Sequence, residues 1–219
     1  FQPAIPFFQQ AIEKDPNYPL AFSGLADTYA LISAYTNQPA REVMPKAKEA
    51  ALKALALDDK LAEAHASLGQ ITAYYDYDFV TAEREYRRAI DLNPNYASAH
   101  QWLAGHLSAL KRNAEALAEI RRALEHDPMS VIMNRIYADI LMDGRKLHEA
   151  IQQYQRTLEL DPNFPTAHFF LGRAYEAKGM YDEAVKEYSI SSGLGTVVDV
   201  MAKANDVYKK SGWKAYVQF

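Results

Sequence analysis

With 219 residues, 49% of them hydrophobic, the chain is long enough for one or two ordinary domains and apolar enough to bury a continuous core. A net charge of −4 argues against nucleic acid as the main partner, because phosphate binding needs a basic surface. The absence of cysteine excludes disulfides and thiolate metal sites, and leaves cytoplasmic, periplasmic and extracellular compartments all open. Only 9 glycines interrupt long stretches of Ala, Leu, Glu, Lys and Arg, which favours helix throughout. No apolar run reaches membrane-spanning length, and Lys53 breaks the best stretch at 50–57.

In chain order, residues 1–18 read as a single helix matching the second half of a repeating unit. Residues 19–61 form a unit with nine extra residues, placed near 36–45. Pro45 would cost about 3 kcal/mol inside a helix, so a short turn is predicted at 40–44 and a new helix from Pro45. The stretch 62–96 carries one extra residue, near the aromatic run Tyr74, Tyr75, Tyr77 and Phe79. Units 97–130, 131–164 and 165–198 keep the 34-residue period marked by Pro94, Pro128 and Pro162. Residues 199–219 begin a further unit. A fixed period of this size signals stacked helix pairs.

Residue sizes within the unit follow from packing. Position 20 is always alanine (Ala4, Ala47, Ala82, Ala116, Ala150, Ala184), and position 8 is Ala26, Gly69, Ala104, Ala138 or Gly172. Small residues there let two antiparallel helices approach. Large residues at position 24, such as Phe8, Tyr86, Ile120, Tyr154 and Tyr188, fill the space beside them. Ala150→Leu is therefore expected to overpack the pair and cost about 1–3 kcal/mol in a denaturation midpoint. Gly179 falls where a left-handed helix end is needed, and each proline ends a second helix.

Leu171-Gly172-x-x-Tyr175, Gly179-x-Tyr181, Ala184, Tyr188 and Pro162 together resemble the tetratricopeptide repeat, and the likeness runs over the whole chain. The resemblance implies an all-α fold, a right-handed α-α superhelix of antiparallel helix pairs with a concave groove. It also implies a non-catalytic scaffold that binds a peptide or protein. Family groove positions 2, 5, 9, 12 and 13 map onto Glu63, Gln70, Tyr74, Gln101, Arg135, Asp139, Met142, Phe169, Arg173 and Glu176, a lining of mixed, modest charge. The basic clamp that some members use for a partner's C-terminal carboxylate is absent, since Ser23, Asp27, Ser67 and Ser98 occupy the comparable places. A vaguer likeness, carried by 47–51, 62–65 and 75–79, is to the repeat regions of bacterial winged-helix regulators and nucleotide cyclases. It fits a segment of a larger protein, as does a start at Phe1 inside a repeat.

Chemistry is scarce. His65, His100 and His168 share position 4 and repeat for packing reasons, whereas one metal would need all its ligands at about 2 Å. His148-Glu149-Ala150-Ile151-Gln152 lacks the second histidine of a zinc-protease motif, and Gly193-Leu194-Gly195-Thr196 lacks the third glycine of a dinucleotide loop. Asp76-Tyr77-Asp78 has a capping reading and a weak cation reading. Arg84, Arg87 and Arg88, with Glu83 and Glu85 interleaved, read as a solvated helix face. No cofactor, metal or catalytic residue is expected. An alternative to partner binding comes from the ends, where Phe1, Phe7, Phe8 and Trp213 could seal a head-to-tail contact between copies and build rings or filaments.

Overall fold

The computed structural model describes residues 3–36, 38–193, 198–216 and 218, without the side chains of 34, 35 and 198–206. Among the described residues all regular structure is helical and there is no strand. The chain forms two compact units, Phe1–Leu110 and Lys111–Phe219. The first holds α1 (Ala4–Lys14), α2 (Pro19–Tyr35), α3 (Ala40–Leu57), α4 (Ala62–Ile71), α5 (Phe79–Leu92) and α6 (Ala97–Ala109). The second holds α7 (Asn113–His126), α8 (Val131–Asp143), α9 (Leu147–Leu160), α10 (Pro165–Ala177), α11 (Tyr181–Gly193) and α12 (Val198–Tyr216).

Within each unit, consecutive helices pack on each other, and the first helices of successive pairs also touch directly. In the first unit α2 meets α4 and α4 meets α6; in the second α8 meets α10. The first helices thus make an inner layer, the arrangement of stacked helical hairpins. Ala47, Ala82, Ala150 and Ala184 are fully buried at the crossings, and Ala116 on α7 is fully buried too. A Cβ on Gly69 would lie 2.7 Å from two ring carbons of Tyr86, and one on Gly172 would lie 2.8 Å from two of Tyr188. Phe8 sits more tightly still over Gly24. Each glycine is the space its aromatic partner occupies.

Aspartate or asparagine recurs before the hairpin-to-hairpin turn for a local reason. Asp15, Asp58, Asn93 and Asp161 each accept, at Oδ1, the N–H two residues on, at 3.0 to 3.2 Å. This turn relieves the helix end and sends the chain back into the next first helix.

The turns inside the hairpins share another device. Gly179 has φ of 75°, the Met180 N–H reaches the Tyr175 carbonyl at 2.9 Å, and the Gly179 N–H reaches that of Glu176 at 2.9 Å. Arg145, at the same repeat position, has φ of 60° with the matching bonds Lys146 to Leu141 and Arg145 to Met142. Lys111 (φ 63°) and Tyr77 (φ 56°) are left-handed too. An L-residue there carries about 1–2 kcal/mol of strain, part of which glycine would return as lost chain entropy. Arg145→Gly is therefore expected to stabilise the protein by about 0.5–1 kcal/mol, read as a higher urea midpoint. A lower midpoint would mean the arginine side chain makes a compensating contact.

The two irregular units resolve differently. The single extra residue of 62–96 is absorbed in a π-helical turn, Thr72–Asp76, that continues α4. The closing bond accordingly runs from the Asp78 N–H six residues back to the Thr72 carbonyl, at 3.1 Å. The nine extra residues of 19–61 do not form the expected turn at 40–44. The connector is shorter and α3 begins at Ala40, with Pro45 inside it. Pro45 is exposed, so the Arg41 carbonyl it cannot serve faces water rather than the core. The insertion lengthens both helices: α2 has 17 residues and α3 has 18, against 13 and 14 for α8 and α9. That is about one added turn per helix.

Candidate functional site

Inner-face residues are set by the first helices, and buried tyrosines fix several of them from behind. In the first unit Tyr86, fully buried on α5, passes over Gly69 and donates its hydroxyl to Gln70 Oε1 at 3.3 Å. Tyr74 lies close enough to Tyr86 to interact electrostatically and is 61% exposed. Gln101 is partly buried on α6. Glu63 lies on α4 beside Asp27 of α2, and Ser67 hydrogen-bonds the Asp27 carboxyl. Burial, reinforced by Glu63, raises the Asp27 carboxyl from 3.8 to about 6, against the lowering effect of Ser67. Asp27 stands at inner-face position 9 and was weighed above only as a missing clamp residue. Its sequence signal was a carboxylate at that position with no basic residue one helical turn away, where Asp139 has Arg135.

In the second unit Tyr154, fully buried on α9, donates to Asp139 Oδ1 at 2.6 Å and lies 3.8 Å from the Met142 sulfur. Arg135 donates to the other Asp139 oxygen, one turn back on α8. Burial raises the Asp139 carboxyl above its ordinary value, opposed by Arg135 and by the tyrosine. Tyr188 of α11 repeats the design, donating to Glu176 Oε2 at 2.7 Å. Phe169 is 44% exposed, its ring 5.3 Å from Phe170 and 5.7 Å from Tyr188. The Arg173 guanidinium lies 5.9 Å above the Phe170 ring. Arg135, Asp139 and Met142 thus gather around one tyrosine, and Phe169, Arg173 and Glu176 around another aromatic group.

The position-4 histidines are polar straps. His65 Nδ1 is 2.7 Å from Glu85 Oε2 and its Nε2 is 3.0 Å from the Asp59 carbonyl. His168 does the same with Glu187, at 2.6 Å, and Pro162, at 3.0 Å. Asn134 replaces the pair with amides: it donates to the Pro128 carbonyl at 3.1 Å and accepts from Gln153 at 2.7 Å. His100 Nε2 is 2.9 Å from the Pro94 carbonyl. Where the first partner is Phe22, the second is the apolar Ala50. Glu85 therefore leaves the solvated face assigned to it above and is buried under its histidine. Among the described residues no group of three or more His, Cys, Asp or Glu is placed to hold a metal ion.

Other singled-out residues have local roles. Asp78 accepts the Thr81 N–H at 3.0 Å as the cap of α5, and Asp76 pairs with Lys48 at 2.6 Å. Of the proposed end contacts, Phe7 is 71% exposed, Phe8 packs over Gly24, and Trp213 stacks on Tyr181 and Tyr216 at 4.9 and 5.3 Å. Phe1 lies outside the described residues, as do Leu194, Gly195 and Thr196 of the glycine pair. No helix among the described residues is long and apolar enough to cross a membrane.

Helical hairpins stacked through small residues, with an inner layer of lining side chains, define a helical-repeat protein. Family models for the tetratricopeptide repeat match residues 73–140 and, as a TPR repeat, 138–179. Residues 73–179 are built of tetratricopeptide repeats, and the fold is one typical of protein–protein interaction scaffolds, which are generally non-catalytic. Among solved structures it is similar to YrrB, described as a TPR protein with an unusual peptide-binding site: 20% identity over 91% of this chain and 97% of that one, TM-score 0.60. It is similar to pilF of Pseudomonas aeruginosa, at 20% identity over 90% and 97%, TM-score 0.67. A third likeness is to a thermophilic TPR protein of Thermus thermophilus, at 20% identity over 79% and 89%, TM-score 0.66. At these identities the likeness is one of fold. No curated protein matches the chain.

Proposed function

We propose that the protein is a non-catalytic scaffold that holds a peptide or protein partner along the inner faces of its helix pairs. The observation that carries this is the tethering of side chains on the first helices by tyrosine hydroxyls of the second, Tyr86 to Gln70, Tyr154 to Asp139 and Tyr188 to Glu176. Side chains fixed before a partner arrives lose less freedom on binding, which is what a recognition surface requires. Exposed Phe169 beside Arg173 supplies the aromatic and guanidinium groups that dominate interface energetics. The test is an array of random peptides probed with the labelled full chain. Phe169→Ala with Arg173→Ala, or Gln101→Ala with Tyr74→Ala, should lower binding at least about tenfold, whereas Val80→Ala on the outer side of α5 should not. Equal binding by all variants would overturn the reading.

Self-assembly is a second reading, favoured by one observation. Phe7 is 71% exposed on α1, an amphipathic helix without a buried residue. Mass measured by light scattering should then rise with concentration and stop rising in Phe7→Asp. A constant mass removes this reading.

A further inference from the structure

The inner face of the first unit is short of positive charge. Its positions on α2, α4 and α6 carry Asp27 and Glu63 but no lysine, arginine or histidine. Glu63 is near enough to raise the cost of charging Asp27, and no cation is among the groups acting on Asp27. Tyr96, itself partly buried, feels both charges and is hydrogen-bonded to Ser98. These residues meet where α2, α4 and the start of α6 adjoin. The contrast with the second unit is direct, because Asp139 holds the same repeat position as Asp27 and there Arg135 supplies the missing charge.

A separate observation marks the same place. Ser23 lies one turn before Asp27 on the same face of α2 and is only 2% exposed, yet its hydroxyl has no hydrogen-bond partner among the described residues. Buried hydroxyls ordinarily find a partner, and a serine inside a helix can bond the carbonyl four residues back. Ser67 shows the complementary imbalance. Its single hydroxyl proton faces both the Asp27 carboxyl and, at 2.8 Å, the Glu63 carbonyl. Two carboxyls, one over-subscribed hydroxyl and one unused hydroxyl make a site with more acceptors than donors and no positive charge.

We propose that the inner face of residues 1–110 binds a basic peptide segment, with one lysine or arginine side chain seated between Asp27 and Glu63. The proposal rests on the scaffold reading above and specifies the partner's chemistry for one half of the chain. An ammonium or guanidinium brings only donors, and a charge-assisted hydrogen bond to a carboxylate that has already lost its water is among the stronger contacts available. The desolvation of Asp27 is met on folding rather than on binding, so the incoming cation gains most of the attraction. The net charge of −4 would also speed the approach of a basic segment and make its capture sensitive to salt.

The experiment uses the full chain and fluorescence anisotropy with two labelled dodecapeptides, one alternating alanine with lysine and arginine, the other alternating alanine with glutamate. The basic peptide should bind and the acidic one should not. Asp27→Asn with Glu63→Gln should weaken the basic peptide at least about tenfold. Since loss of the buried charge should stabilise the fold, weakened binding together with a raised melting temperature rules out unfolding as the cause. No binding of the basic peptide by the native chain, or equal binding by the double variant, overturns the inference. Peptides from the random array then separate the two readings. Hits that depend on Gln101 and Tyr74 or on Phe169 and Arg173, but not on Asp27 and Glu63, leave the scaffold standing and remove the cation site. Hits that depend on none of these residues remove both.

Discussion

Replacing Tyr154 by alanine is expected to cost about 3–5 kcal/mol, a large share of the roughly 5–15 kcal/mol an ordinary domain possesses. The ring is fully buried between α8 and α9, and its deletion leaves a cavity that rigid neighbouring helices cannot close. Phenylalanine at the same site isolates the hydroxyl. It keeps the ring and strands Asp139 Oδ1 without its donor, for an expected loss of about 1–3 kcal/mol. The two substitutions should part company in their effects on binding as well. Tyr154→Phe should keep the fold while loosening Asp139 and Arg135, and any partner of the second unit should weaken with it. Urea midpoints rank the stabilities. If phenylalanine costs nothing, the hydroxyl does not hold Asp139; if it costs as much as alanine, the ring contributes little.

Asp27→Asn should act in the opposite direction and only above a certain pH. The folded-state carboxyl is raised from 3.8 to about 6, chiefly by burial and then by Glu63. A raised acid keeps its proton in the folded chain after the unfolded chain has released it. Stability therefore falls as pH climbs from about 4 to about 6 and stays reduced above that. A shift of this size corresponds to roughly 3 kcal/mol at most, and relaxation around a partly exposed site lowers it to about 1–3 kcal/mol. Asparagine removes the charge and still accepts from Ser67, so at pH 8 the variant should be more stable by that amount. At pH 4 the difference should vanish. Paired urea titrations at the two pH values decide it, and an equal gain at both would assign the effect to packing rather than charge.

Much of the fold could be read from recurrence. Alanine at 47, 82, 116, 150 and 184, with glycine or alanine one helix before it, says where helices cross, and every one of these alanines is buried. Pro45 misled because proline's penalty was taken as that of a core position. On the solvent side of the second turn, water serves the released carbonyl and the helix continues. The extra residue near Tyr74 was visible, but a hydrophobic period cannot tell an added loop residue from a widened turn.

Side-chain destinations were harder to foresee. Nothing in a tyrosine at position 24 says that its hydroxyl crosses the hairpin to the inner face. A signal existed in the pairing: Tyr86 and Tyr154 accompany polar Gln70 and Asp139 at position 9, whereas Ile120 accompanies Gly105. Asp27 escaped for a related reason. The lack of a basic residue one turn away is visible in the sequence, but the approach of Glu63 from another helix is not.

The histidine and asparagine straps carry an implication for how such a chain can change length. Each described strap ties a first helix to its own second helix and to the turn just before it: His168 with Glu187 and Pro162, or Asn134 with Gln153 and Pro128. The positions of all three partners recur with the period. A gene segment one period long, duplicated or lost by unequal recombination with its ends between hairpins, therefore keeps every donor with an acceptor of its own kind. Exchange between unlike repeats is restricted instead, because a crossover inside a hairpin would set an amide against a carboxylate or a histidine against alanine. Heredity in this protein can add or subtract whole hairpins freely, while a point change in one strap partner calls for a second in the other.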